Sequence, residues 1–144
     1  MAREVTIRSA SIADAAALAS MAGELGYPVS CGEMNERMER LLSDQRHAVY
    51  VAEDRIPVAW IHVSAVLSLE GGTFAEILGL VVSEKSRRSG IGARLVKRAE
   101  EWAVTNGCAR VRVRMNIARR EARMFYLALG YDLRKTQEVY DKSL

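Results

Sequence analysis

The stretch Ser86-Arg87-Arg88-Ser89-Gly90-Ile91-Gly92-Ala93 lies between an apolar run, "ILGLVVS" (77–83), and the helically spaced pattern "ARLVKRAEEWA" (93–103). A strand that ends in a turn and feeds a helix leaves the first helical amides without internal partners, at the positive end of the helix dipole. Glycines at 90 and 92 remove Cβ atoms where an anion must approach the backbone, and Arg87 and Arg88 add charges able to grip phosphate oxygens in pairs. The stretch therefore predicts a phosphate cradle at a strand-to-helix junction, and with it an α/β fold; a tight connection carrying surface arginines is the plainer alternative. No lysine follows Gly92 as a Walker loop requires, and Leu95 stands where a dinucleotide fingerprint has its third glycine.

Upstream, "VTIRSA" (5–10) reads as a short strand. A helix spans Ser11 to Gly26, with Ser11 and Asp14 as its capping box and Gly26 as its stop. Ser30 with Glu33 opens a second helix whose Met34, Met38, Leu41 and Leu42 share one face. From His47 the β-branched and aromatic content and the turns at Asp54-Arg55 and Glu70-Gly71-Gly72 predict a three-strand meander ending in "TFAEILGLVVS". Downstream, a helix over 91–106 turns Ile91, Leu95, Ala99 and Trp102 inward and stops at Asn106-Gly107. "ARVRVRM" sets Val111, Val113 and Met115 against three arginines, "REARMFYLALG" is a further helix, and "YDL" with "EVYDKSL" forms a closing hairpin. The order β-α-α-β-β-β-α-β-α-β-β predicts an α/β (α+β) fold.

The 144 residues, 49% hydrophobic, fit one self-sufficient domain over 1–144 that buries roughly two thirds of its unfolded surface. No run approaches the roughly 18 apolar residues of a membrane span, and "MAREVTIRSA" lacks a signal-peptide core; a cytoplasmic protein without a membrane partner is expected. Cys31 and Cys108 stand apart, and His47 and His62 are not at zinc-ligand spacing from them, so neither a disulfide framework nor a metal site is expected. The net charge is only +3, yet eleven of the 21 Lys and Arg residues fall between Arg87 and Arg123. The stripe Arg110, Arg112 and Arg114 faces water, a partner subunit or nucleic acid. With 6% aromatic residues and no recognition helix, nucleic acid is not expected as a partner.

Three motifs in order, "FAEILGLVV", "RRSGIG" and "ARREARMFYLALGY", resemble the GNAT superfamily of acyl-CoA-dependent N-acetyltransferases, and the likeness extends over residues 5 to 144. Within it the second half is most similar to small-amine acetyltransferases of the aminoalkylphosphonate or aminoglycoside type. Two departures stand out: Glu84 where a proline is usual, and Arg88 where a glycine is often found after the first arginine. The resemblance implies a single domain with a mixed, mostly antiparallel sheet of about seven strands. Helices cover both faces, and the central strands splay into a V. It implies acetyl-CoA as cosubstrate, its pyrophosphate held by Arg87, Arg88, Ser89, Gly90, Ile91, Gly92 and Ala93. Leu80, Val81 and Val82 would bond the pantetheine arm, with the Leu80 amide polarising the thioester; Asn116 would meet the same arm, and Arg119 and Arg123 the 3′-phosphate or only solvent.

Acetyl transfer to an amine needs a fixed donor, a polarised carbonyl, a deprotonated amine and a proton for the thiolate. Tyr126 matches the helix tyrosine beside the sulfur, and a phenol near 10 suits a thiol near 8.5; packing with Phe125 and Leu129 is the alternative. Glu76, the one acid in "FAEILGLVV", is expected to be partly desolvated and so ready to take the ammonium proton, or else to sit at an edge facing solvent. His62 and Cys31 are candidates to line the acceptor pocket, and Cys108 to pack as a small apolar group.

The function expected is N-acetylation of a primary amine, of a small molecule, by direct transfer in a ternary complex. The alternatives are a protein N-terminal or lysine acetyltransferase, or a non-catalytic CoA-binding regulatory module. Bulky walls around Met21–Asp44 and the loop 67–73 would favour small amines, an open groove peptides. The methionine-rich helix and the terminal strands are candidate surfaces for a homodimer.

Overall fold

The hairpin predicted from His47 forms the middle of the sheet. β2 (His47–Asp54) and β3 (Ile56–Ser68) pair antiparallel, turning at Arg55, whose φ of 64° places it in the left-handed region. β3 continues through a turn into β4 (Gly72–Val82), and β1 (Thr6–Ser9) lies antiparallel on the other edge of β2. β5 (Val111–Val113) joins β4 in parallel, giving the order β1-β2-β3-β4-β5 in a mixed, mostly antiparallel sheet. The computed structural model describes residues 4–144; positions 1–3 of the N-terminal stretch lie outside them. The chain forms two compact units, Met1–Arg114 and Met115–Leu144.

In the first unit both faces of the sheet carry helices. After a 3-10 turn at Ile12–Asp14 come α1 (Ala15–Glu24) and α2 (Cys31–Leu42). Their Leu18, Met21 and Met38 pack with Val49, Val51 and Val81. Burying Leu18 and Met38 completely contributes about 2 kcal/mol each. The alternate residue Tyr50 turns to the opposite face, where Arg98 of α3 (Ile91–Thr105) lies 4.4 Å over its ring. α3 buries Ile91, Leu95, Val96, Ala99 and Ala103. Trp102, expected to face inward, is only half-buried, and Leu42 of α2 is exposed.

Local caps form where the sequence places them. Ser30 N–H donates to Glu33 Oε1 and Glu33 N–H to Ser30 Oγ, each at 3.0 Å. Ser11 N–H donates to Asp14 Oδ2 at 2.8 Å, and Gly26 ends its segment at φ 86°. Asp14 is buried and has a second duty: Arg8 on β1 donates to both its oxygens at 2.8 Å and to Glu53 on β2 at 3.0 and 3.3 Å. That guanidinium holds the Asp14 carboxyl below its usual range.

The second unit contains α4 (Arg120–Ala128) and no strand. The sheet has five strands among the described residues, not about seven, because "YDL" and "EVYDKSL" form no hairpin. Leu133, Val139 and Tyr140 are exposed, so that segment buries no apolar face to offset the entropy of ordering a lone hairpin.

Arg8→Met leaves Asp14 buried without its counter-charge. The expected loss is about 2 kcal/mol of stability in urea unfolding, with an unchanged slope; a loss below about 0.5 kcal/mol would mean that the network contributes nothing net.

Candidate functional site

β4 pairs with β5 only at Ala75, Glu76 and Ile77, and then continues alone on that edge to Val82. Its ladder with β3 shifts between His62 and Val63, which oppose Gly79 and Ile77, so Leu78 is an extra residue: a bulge. Ala75 N–H reaches the Arg110 carbonyl on the β5 side at 3.0 Å, whereas Ser83 N–H reaches the Val58 carbonyl on the β3 side at 2.8 Å. Both are odd-numbered, and in a regular strand both would point the same way. The bulge reverses the sense, so after it Leu80 and Val82 turn their N–H and C=O toward the unpaired edge. Val81, by the same alternation, is tied to β3 and its side chain is buried. The sequence reading named Leu80 to Val82 but not Leu78; the signal was Gly79, a glycine inside an apolar strand.

The strand then enters a 3-10 turn at Glu84–Ser86 and α3 begins at Ile91, capped by Gly90 at φ 83°. The first helical bond in this turn runs from Arg94 N–H to the Gly90 carbonyl at 3.2 Å, so the amides of Ile91, Gly92 and Ala93 precede it. A Cβ built on Gly90 would meet nothing within 4 Å, so the backbone at Gly90 itself borders open space. Ile91 offers only its backbone, since its side chain is buried in the core. Ser89 Oγ donates to the Ser86 carbonyl, bracing the turn. Arg87 folds back to donate through Nε to the Val82 carbonyl at 3.2 Å. Arg88 has φ 62°, a left-handed conformation that costs an L residue with a Cβ about 1–2 kcal/mol.

On the α1/α2 face, a cavity of about 470 Å³ opens between α2 and the sheet, walled by Leu18, Met34, Met38, Leu41 and Trp60. His47 and His62, diagonal neighbours across the β2–β3 ladder (His47 opposes Ser64, and His62 opposes Val49), line it and share a hydrogen bond between His47 Nδ1 and His62 Nε2 at 2.9 Å. Burial, then the charge of His47, pushes the His62 imidazole down to about 4, so it is neutral at physiological pH. His62 is thus a cavity residue, beside Gly79 at the bulge; Cys31 is exposed at the start of α2 and does not line it. Cys108 is buried and burial pushes its thiol up, as for a packing residue.

Glu76 opposes Ser64, which in turn opposes His47 in the next ladder. Its side chain is only 15% exposed, and it has a partner the sequence reading missed: Arg114 Nε lies 3.4 Å from Oε1. The carboxylate is thus largely withdrawn from water, and a guanidinium offsets the cost of burying it. The arginine stripe is likewise not a plain solvent face. Arg110 and Arg112 lie over the Phe74 ring at 4.7 and 4.4 Å, and Arg110 donates to the Gly71 carbonyl at 3.2 Å.

In the second unit, Tyr126 is buried, edge-on to Phe125 (5.0 Å) and Tyr131 (5.4 Å). Burial pushes its phenol up to about 12, so the near match to a thiol is lost and the hydroxyl stays a hydrogen-bond donor over the whole ordinary pH range. Asn116 Oδ1 accepts from Ala118 N–H at 2.9 Å, Arg119 stands at the N-cap position of α4 with no capping bond from its side chain, and Arg123 donates to the Ile117 carbonyl at 2.8 Å. Arg123 is therefore engaged in its own loop.

A family model described as the acetyltransferase (GNAT) family matches residues 16–131. The chain is 28% identical over 113 residues, 74% of it and 77% of the relative, to aminoglycoside N(6′)-acetyltransferase type 1 of Serratia marcescens. It is similar in fold to an aminoglycoside N-acetyltransferase solved with CoA, at 15% identity, covering 100% of this chain and 98% of that one, with TM-score 0.88. Glucosamine-6-phosphate N-acetyltransferase of Arabidopsis thaliana is similar at 20% identity, covering 97% and 99%, with TM-score 0.82.

Arg88→Gly relieves the left-handed strain and removes a charge from the turn. The expected outcome is a gain of up to about 1 kcal/mol in stability together with several-fold weaker binding of CoA by calorimetry. Equal or tighter binding would remove Arg88 from the cradle.

Proposed function

Since the chain belongs to the GNAT acetyltransferase family and so is an acetyl-CoA-dependent N-acetyltransferase, we propose that its acceptor is a primary amine of a small molecule, acetylated by direct transfer in a ternary complex. The observation that carries the acceptor's size is the cavity of about 470 Å³ with its bulky wall of Met34, Met38, Leu41 and Trp60, a volume of the order that small-molecule sites have. The aminoglycoside acetyltransferases among its relatives, which by name act on small amines, support the same reading.

The residues present fit the cosubstrate. The edge at Leu80 and the Val82 N–H offers an amide-bearing arm the pairing of an extra strand, the Val82 carbonyl being held by Arg87, and the turn at Gly90 offers the first amides of α3 to a pyrophosphate. Bound there, acetyl-CoA supplies the activated acetyl group. The chain's own residues then have these roles: the Leu80 N–H orients and polarises a carbonyl, and Arg87, Arg88 and the amides of Ser89 to Ala93 hold the diphosphate. Asn116 bonds the arm, and Arg119 meets the 3′-phosphate.

Glu76, anchored by Arg114 on Oε1, keeps Oε2 for the ammonium proton, received directly or through water. Tyr126 donates a hydrogen bond to charge developing on the departing sulfur; with its phenol at about 12, full proton transfer to a thiolate near 8.5 runs uphill, so stabilisation is its main service. We propose that both units act as one domain over 1–144 in the cytoplasm, where acetyl-CoA is available. A homodimer built on the exposed Leu133, Val139 and Tyr140 completes the reading, and sedimentation equilibrium showing only monomer at micromolar concentration would remove that part.

The test follows free thiol released from acetyl-CoA with a panel of amines and peptides. Small amines are expected to turn over and peptides not. Tyr126→Phe and Glu76→Gln are each expected to lower kcat about 10²-fold while CoA still raises the melting temperature. Unchanged kcat in both variants would sink the two roles, and peptides outpacing every small amine would sink the acceptor assignment.

A further inference from the structure

The cavity's polar side chains do not suit a polycation. Asp44 is the carboxylate that lines it, and Arg46 occupies that carboxylate with Nε at 3.2 Å and a terminal nitrogen at 3.0 Å, adding its backbone N–H at 2.9 Å. Two arginines line the same cavity. Arg37 is only loosely opposed by Glu33 at 3.7 Å, and Arg40 has no carboxylate partner among the described residues. The histidine pair adds no negative charge. Farther along this face of the sheet the balance is the same, with Glu76 answered by Arg114 while Arg110 and Arg112 lie on Phe74.

A second observation asks for an oxygen. Trp60 lines the cavity, and its indole Nε1–H is buried without an acceptor. A buried donor left unpaired is costly, and an acceptor oxygen that reached it on a small shift of the indole would recover that cost. An ammonium group can supply none.

We propose that this cavity receives the acceptor, and that the acceptor is a small amine carrying an anionic oxygen-bearing group, a carboxylate, phosphate or phosphonate, held against Arg37 and Arg40. The inference rests on the small-amine reading above and gives it a chemical class. The anionic group anchors the molecule at the α2 side, near the arginines. The amine end is left for the floor of the cavity, where His62 sits beside Gly79 at the bulge of β4. Guanidinium pairing of this partly exposed kind is screened by salt, so the preference weakens as ionic strength rises.

The experiment compares three acceptors in thiol release: an aminoalkyl phosphonate, the amino alcohol of the same chain length, and a polycationic aminoglycoside. Calorimetric titration of the phosphonate into the CoA-loaded protein is run beside it. The phosphonate is expected to exceed both others about tenfold or more in kcat/KM, and to lose that lead in Arg37→Gln/Arg40→Gln through a higher KM. Higher kcat/KM for the aminoglycoside, or a lead that survives in the double variant, would overturn the inference. Phosphonate binding that the double variant abolishes, with no turnover of any amine, would overturn the catalytic reading and uphold this site. Turnover of the aminoglycoside without phosphonate binding would do the reverse.

Discussion

A buried strand must find partners for the backbone groups on both its edges, and β4 meets this demand on only one of them beyond Ile77. The extra residue at Leu78 is what creates the situation. It ends the match with β5, turns Leu80 and Val82 toward the open edge, and leaves β3 to hold the strand from the other side. The helix that follows has the same deficit in miniature, with first amides that precede its first helical bond at Gly90. The two sets of unpaired groups are consecutive in the chain, so one extended ligand with amides at one end and phosphates at the other satisfies both.

Charge divides the first unit in a second way. Carboxylates that the fold buries each have a guanidinium set on them: Asp14 has Arg8 and Glu76 has Arg114. Of the other arginines, Arg37 and Arg40 line the cavity, and Arg110 and Arg112 lie on Phe74. Family membership fixes the donor and the bond made, while this residue-by-residue balance is what separates one acceptor from another, and it is where a chain 28% identical to an aminoglycoside enzyme is free to differ.

What could be read in advance follows the range of the interactions. The caps at Ser30/Glu33 and Ser11/Asp14, the stop at Gly26 and the open turn at Gly90 depend on backbone geometry within four residues, and all were legible. The alternation in "RVRVR" (110–114) placed three arginines on one side of β5, yet what they touch, Phe74 and Glu76, is decided by a parallel pairing with a strand more than thirty residues earlier. The contact between His47 and His62 hangs on hairpin register in the same way. Burial, too, is a property of the assembled chain: it moves Tyr126 away from the phenol value assumed for it, and its absence leaves the apolar residues of the last segment without the strands their pattern predicted.

Gly79 is the point where the sites proposed for the two substrates touch. A Cβ there would stand 2.9 Å from Cζ3 of Trp60, so the indole lies directly on the backbone of β4. One side of this contact is a wall of the cavity proposed for the acceptor, and the other is the strand whose edge is proposed for the donor. A molecule that presses on the indole therefore presses on the strand, and a strand fixed by its ligand stiffens the wall. Under the proposed reading, whatever effect one substrate has on the other's affinity through this contact is matched in reverse by the same factor, and the contact exists because position 79 lacks a methyl group.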